Sequence, residues 1–151
     1  MPSVTVLNGP NLNLLGTRKP EVYGRTSLAD VETMCRDTAA GLGLDLVFRQ
    51  SNHEGQLIDW IHELGPAQQA GDSIGLVLNP GALTHTSVAL HDAIEGAQVR
   101  AIELHISNVH RREEFRHHSF ISPIASGIVV GFGVYGYVLA IQGLHQLAQQ
   151  A

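Results

Sequence analysis

The chain has 151 residues, 44% of them apolar and 15% charged, and nine Lys and Arg against fourteen Asp and Glu leave a formal charge of −5. That length supports one well-buried core, so a single domain over 1–151 is expected, and the composition excludes a disordered tail, a coiled coil and a highly charged solvating segment. Without a basic surplus there is no electrostatic footprint for a phosphate backbone, so nucleic acid is not an expected partner. The single cysteine, Cys35, excludes an intrachain disulfide and any multi-cysteine metal site and suits a reducing compartment. The opening residues lack the basic and apolar regions of a signal peptide, which predicts a cytoplasmic location.

Residues 4–7 are a short β-branched run ending at Asn8-Gly9-Pro10, which predicts a central strand and a turn, followed by a long loop to about Arg25. Ser27 with Asp30 three residues later resembles a capping box, and Leu28, Val31, Cys35, Ala39 and Leu42 recur at helical spacing until Gly43. Residues 44–49 read as a second strand. Leu57, Ile58, Ile61 and Leu64 form the stripe of a second helix expected to stop before Pro66. A third strand over 74–78 ends at Asn79-Pro80-Gly81, and a helix over 86–96 is expected to carry Val88, Ala89, Ala93 and Ile94 inward. A fourth strand over 99–106, a polar stretch, a fifth strand over 127–130 and a helix over 135–149 complete the chain.

Short apolar strands alternating with helices imply an α/β fold with a parallel sheet covered on both faces, because each crossover needs a helix. Five strands at this length most resemble the flavodoxin-like doubly wound arrangement, whose order 2-1-3-4-5 is an expectation from analogy. Residues 119–144 hold no ionisable group except Tyr135 and Tyr137 and would satisfy a crude membrane-span filter. Pro123, five glycines and three serines punctuate that stretch, so it reads as a strand, a turn and a helix, with no membrane partner.

In such sheets ligands bind beyond the carboxyl ends of the strands. There the chain places Asn8, Asn11, Asn13, Arg18 and Tyr23 after strand one, Asn79, Thr84 and His85 after strand three, and Glu103, His105, Ser107 and Asn108 at strand four. Gly131-Phe132-Gly133-Val134-Tyr135-Gly136 matches G-x-G-x-x-G. A dinucleotide site needs that turn to open a βαβ unit with an acidic residue further on, and none follows here, so tight helix–strand packing is the simpler reading. Nine histidines raise a metal site, but no pair has ligand spacing, and none is expected. The one lysine, Lys19, shows no apolar burial that would make it a nucleophile.

Proton-transfer chemistry remains. Tyr23 lies between Arg18 and Arg25, and a phenol becomes a base at neutral pH only where a cation stabilises its anion. A packing tyrosine with an exposed hydroxyl fits the spacing as well. Glu103 and His105, two apart in a strand, face the same way, so the carboxylate can orient the imidazole and favour its protonated, acidic form; a half-buried strand-end histidine is the alternative. Arg112 and Arg116, four apart on an expected helix, can clamp a carboxylate or simply face solvent.

Residues 9–16 (Gly-Pro-Asn-Leu-Asn-Leu-Leu-Gly), Arg18 through Tyr23-Gly24, Asn79-Pro80-Gly81 through Thr84-His85-Thr86-Ser87, and Glu103-Leu104-His105-Ile106-Ser107-Asn108-Val109-His110 with Arg112, Phe115 and Arg116 together resemble the type II 3-dehydroquinate dehydratases. The blocks follow that family's order across essentially the whole chain. The resemblance implies a cofactor-free and metal-free anti elimination of water from 3-dehydroquinate in the shikimate pathway, by a homododecamer of four trimers. It implies Tyr23 as the tyrosinate base, Arg18 as its stabiliser, Asn11 as holder of a water on the enolate, and His105, oriented by Glu103, as the acid. Substrate contacts are implied for Asn79, His85, the Ile106 and Ser107 amides and Arg116, with Asp92 reaching in from a trimer neighbour and Arg112 less securely assigned. The loop over 13–25 would close over substrate. Lys19 departs from the acidic residue common there. Two other readings stay in view: a flavodoxin-like module that binds a nucleotide or other anion without catalysis, which has no need of an activated phenol, and a silent relative, against which the intact Tyr23, His105 and Asn79 argue.

Overall fold

Five parallel strands form one sheet in the order β2-β1-β3-β4-β5 in the computed structural model, which describes residues 1–17, 21 and 24–151. The strands are β1 (Ser3–Asn8), β2 (Asp45–Gln50), β3 (Ser73–Asn79), β4 (Ala101–His105) and β5 (Gly127–Val130). Four longer helices among the described residues connect or follow them: α1 (Leu28–Gly41), α2 (Glu54–Gln69), α3 (Val88–Ala97) and α4 (Tyr135–Gln150). The doubly wound order expected from analogy is therefore present.

Side-chain alternation along the strands builds two cores, one on each face of the sheet. Val4, Val6, Val77, Ile102 and Leu104 point to one face, where α1 supplies Val31, Cys35 and Ala39 and α4 supplies Tyr137, Ala140, Ile141 and Leu144. Leu7, Leu76 and Leu78 point to the other, against Leu57, Ile61 and Leu64 of α2 and Leu90, Ala93 and Ile94 of α3. Each fully buried Leu, Ile or Val is worth about 1.5–3 kcal/mol, so both faces are firmly held. Glu103 and His105 alternate with Leu104 and so lie on the α2/α3 side of β4, both buried.

Local chemistry sets most boundaries. The Ser27 side chain accepts from the Asp30 amide while the Asp30 carboxylate accepts from the Ser27 amide, the reciprocal cap that starts α1. Ser87 caps α3 by accepting from the Leu90 amide.

Three expectations need correction. Helix α2 does not stop before Pro66 but runs through it to Gln69. Proline removes one amide donor near the helix end without blocking the last turn, which the Ala70 amide closes by donating to the Pro66 carbonyl. Val88 and Ala89 face outward rather than inward, because the helix begins at Val88 and its core-facing stripe is Leu90, Ala93 and Ile94. Arg112 and Arg116 do not share a helix. They belong to two separate 3-10 turns, Val109–Arg111 and Glu114–Arg116, divided by the extended backbone of Arg112 at φ −111° and ψ −164°.

The glycine motif over 131–136 packs helix against sheet. A Cβ at Gly136 would lie 2.8 Å from Leu104 Cδ1, so a larger residue there would force the buried Leu104 side chain to shift as α4 packs on β4. Among the described residues no helix is long and apolar enough to cross a membrane.

Candidate active site

The carboxyl ends of β1, β3 and β4 converge, and the approach is close enough that a Cβ at Gly9 would lie 2.4 Å from the Pro80 carbonyl oxygen. Their outgoing turns surround a cleft of about 200 Å³. From the turn after β1 comes Asn11; from β3 and its following turn come Asn79 and His85; from β4 come His105, Ile106 and Ser107, with Arg112 and Arg116 behind them. The structure thus gathers eight of the named residues around one cavity. Asp92 is not among them. It lies exposed on α3, 3.0 Å from His91 Nδ1, and His91, Asp92 and Glu95 form a compact surface group with ligating atoms within 4.8 Å of one another. Arg18, Lys19 and Tyr23 lie outside the described residues.

Glu103 and His105 do face the same way. The carboxylate oxygen Oε2 of Glu103 stands 2.5 Å from His105 Nε2, and both residues are almost wholly buried. Because Nε2 is committed to the carboxylate, Nδ1 is the ring nitrogen left for a bound molecule. Burial pushes the Glu103 carboxyl up, but the hydrogen bond from His105, that from Ser122, attraction to His105 and the hydrogen bond from Ser119 outweigh it and hold the pKa at about 2. The carboxylate therefore stays ionised at every working pH.

His85 stacks near His105, with ring centroids 6.4 Å apart and planes 17° from parallel. Its Nδ1 donates to the His118 carbonyl oxygen at 2.8 Å, which fixes the tautomer and leaves Nε2 to accept. Asn79 is tied on both sides: Nδ2 donates to the Tyr137 hydroxyl at 3.0 Å, and Oδ1 accepts from the Gly81 amide at 3.2 Å. Its second amide hydrogen remains for a ligand. Arg116 is held by Nε donating to Glu113 Oε2 at 2.5 Å and by the Phe115 ring 5.0 Å below the guanidinium. The hydrogen bond from Arg116 leads the effects that lower the Glu113 carboxyl. Arg112 Nη1 lies 3.4 Å from Ser107 Oγ. Asn11 adopts the left-handed backbone at φ 71°, which asparagine tolerates better than most residues, and its amide donates to Asn52 Oδ1 at 3.0 Å.

Sequence reasoning missed two sets of residues. Ser119 and Ser122 both donate to Glu103, although they registered only as polar interruptions of an apolar stretch. Serines in a segment otherwise lacking ionisable groups, downstream of a strand-borne carboxylate, were the available signal. The second set is a buried chain on the opposite face, in which the Tyr137 hydroxyl donates to Asn8 Oδ1 at 2.6 Å and Asn8 Nδ2 donates to the Arg49 carbonyl at 3.1 Å. Asn8, placed among the strand-end candidates, is thus buried structure, not cavity lining.

A family model described as "Dehydroquinase class II" matches residues 2–145. The 3-dehydroquinate dehydratase of Variovorax paradoxus (strain S110) is 67% identical over 144 residues, covering 95% of this chain and 99% of that protein. That of Marinomonas sp. (strain MWYL1) is 67% identical over 148 residues, covering 97% and 99%. The crystal structure of a type II dehydroquinase from Propionibacterium acnes superposes with a TM-score of 0.88 at 38% identity, over 99% of this chain and 97% of that one.

Proposed function

We propose, because this chain belongs to the class II dehydroquinase family, that it is a 3-dehydroquinate dehydratase, a hydro-lyase that eliminates water from 3-dehydroquinate to give 3-dehydroshikimate. The observation that carries the reading within the chain itself is the buried Glu103–His105 pair at the rim of a strand-end cleft that also holds Asn79, His85 and Arg116.

In this reading the elimination is stepwise. Tyr23, held as tyrosinate by Arg18, removes the proton beside the ketone, and the electron pair left behind forms an enolate. A water held by Asn11 stabilises the enolate oxygen. The enolate collapses to the enone, the carbon–oxygen bond breaks, and His105 protonates the departing hydroxyl, so that water leaves. Glu103 keeps the imidazole oriented and offsets its positive charge before transfer. The phenol then releases its proton and the imidazole regains one, so the cycle closes on protein groups and water alone, with no cofactor or metal required. Asn79, His85, the amides of Ile106 and Ser107, and Arg116 would hold the substrate's hydroxyls and carboxylate, and the loop over 13–25 would exclude bulk solvent.

The same reading takes 1–151 as one catalytic domain and places it in the cytoplasm, which its single cysteine suits. It makes the active unit a dodecamer of four trimers, with Asp92 completing a neighbour's cleft; the exposure of Asp92 outside its own cleft is compatible with that role. Light scattering tests the assembly, and a monomer overturns it together with the role of Asp92.

The decisive experiment is a continuous ultraviolet assay for the conjugated enone, run on purified, chelator-treated protein beside Tyr23→Phe. Absorbance rising in the parent alone supports the reaction, its metal independence and the base. Silence from folded, oligomeric parent protein refutes the reading and turns attention to anion binding.

A further inference from the structure

We propose that Ser122 is a positioning residue for the acid step: together with Ser119 and Thr84 it fixes the Glu103 carboxylate, and so sets the orientation and tautomer of His105. The inference rests on the reaction proposed above.

A carboxylate that is 1% exposed needs a hydrogen bond on each oxygen, because an unpaired buried charge is strongly destabilising. Oε2 of Glu103 has three partners: Thr84 Oγ1 at 2.9 Å, Ser119 Oγ at 2.8 Å and His105 Nε2 at 2.5 Å. Oε1 is met by Ser122 Oγ, its one hydrogen-bond donor among the described residues. Ser119 also aims Ser122, since its Oγ accepts the Ile121 and Ser122 amides at 3.1 and 3.2 Å and thereby shapes the turn Ser122–Ile124. These serines come from the stretch of turns between β4 and β5, which folds back beneath the strand it has just left.

The choice of hydroxyls has a consequence that cations in the same places would not. A lysine or arginine on Oε1 would stabilise the carboxylate and also weaken its hold on the imidazole proton. Neutral donors stabilise the carboxylate while its charge still acts on His105. The titratable and charged groups facing the pair are His85, stacked on His105, Arg112, which lines the main cleft with His105, and His110, Arg116, His117 and His118 around a second cavity of about 190 Å³ that borders both members. None of these makes a hydrogen bond to Glu103 among the described residues, so the hydroxyls and His105 control it.

The test compares Ser122→Ala and Ser122→Thr with the parent in two readouts. The first is the side-chain carboxyl ¹³C signal of Glu103 followed against pH, which reports its own protonation and needs no turnover. Loss of one hydrogen bond to a charged acceptor should raise the pH of that response by about one unit in Ser122→Ala. The second is steady-state turnover of 3-dehydroquinate, where kcat should fall roughly tenfold with KM little changed, since one fixed proton donor is disturbed rather than binding. Ser122→Thr, which keeps a hydroxyl, should restore both. An unmoved Glu103 titration with unchanged kcat in Ser122→Ala, in protein that melts as the parent does, overturns the proposal, as does a Ser122→Thr variant no better than alanine. A parent that fails to turn over 3-dehydroquinate instead removes the reaction, and the carboxyl ¹³C titration still decides whether Ser122 governs Glu103.

Discussion

Two buried polar networks sit on opposite faces of the same sheet and differ in kind. On the α2/α3 face, three hydroxyls and an imidazole converge on the ionised Glu103, and the network opens through His105 into the cleft. On the α1/α4 face, Asn79, Tyr137, Asn8 and the Arg49 carbonyl form a chain of neutral groups. There burial pushes the Tyr137 phenol well above its ordinary value, the bond from Asn79 pulls it down a little, and Cys35 adds to the rise. The contrast separates two uses of buried polarity. A charge held by neutral donors is available for proton transfer, whereas the neutral chain fixes how a helix docks on strand ends and, at Asn79, leaves one amide hydrogen toward the cleft. It also shows what Tyr23 must have to act as a base: burial alone, as at Tyr137, makes a phenol a worse one, so a cation such as Arg18 is required.

The largest effect should come from emptying the open network. His105→Ala is expected to lower kcat by roughly 10²–10⁴ with the fold intact, measured by enone formation and circular dichroism; rates near the parent's would erase the distinction between the two networks.

Next is acidity. Glu103 has an ordinary pKa of 4.5 and a folded value of about 2, so its stabilisation is fully present above about pH 4.5 and is lost as pH falls through about 2. Roughly 3 kcal/mol is involved, read as unfolding midpoints in urea between pH 6 and pH 2. The Glu103→Gln variant should lose much of that dependence.

Tyr137→Phe comes third. It leaves Asn8 Oδ1 and Asn79 Nδ2 short of a partner in a buried site, at about 1–3 kcal/mol of stability, seen as a lowered melting temperature. A large fall in kcat without a fall in stability would mean that this network too serves chemistry. Smallest is the exposed Glu32–Arg36 pair on α1, at 2.8 Å. Glu32→Gln should change stability by no more than about 0.5 kcal/mol, and less in high salt.

Much of this was legible beforehand because local rules agreed with the fold. The Ser27–Asp30 cap, the Val31–Cys35–Ala39 stripe and the two-residue spacing of Glu103 and His105 each act over a few positions. What stayed hidden depends on long-range return of the chain. Ser122 meets Glu103 across nineteen positions and Tyr137 meets Asn8 across 129, and no period in the sequence reports such contacts. Val88 was misplaced because a helix's first residue carries the pattern without the packing, and Arg112 and Arg116 because a four-residue spacing is helical only if the backbone between them is.

Cys35 is the chain's single thiol, fully enclosed against the sheet, and burial, with help from the Glu32 charge, pushes its pKa up to about 12. Thiol-directed reagents therefore find almost no thiolate on the native protein. A cysteine introduced on the surface would be the sole point of attachment for a dye or spin label, and the parent residue would not need to be removed first.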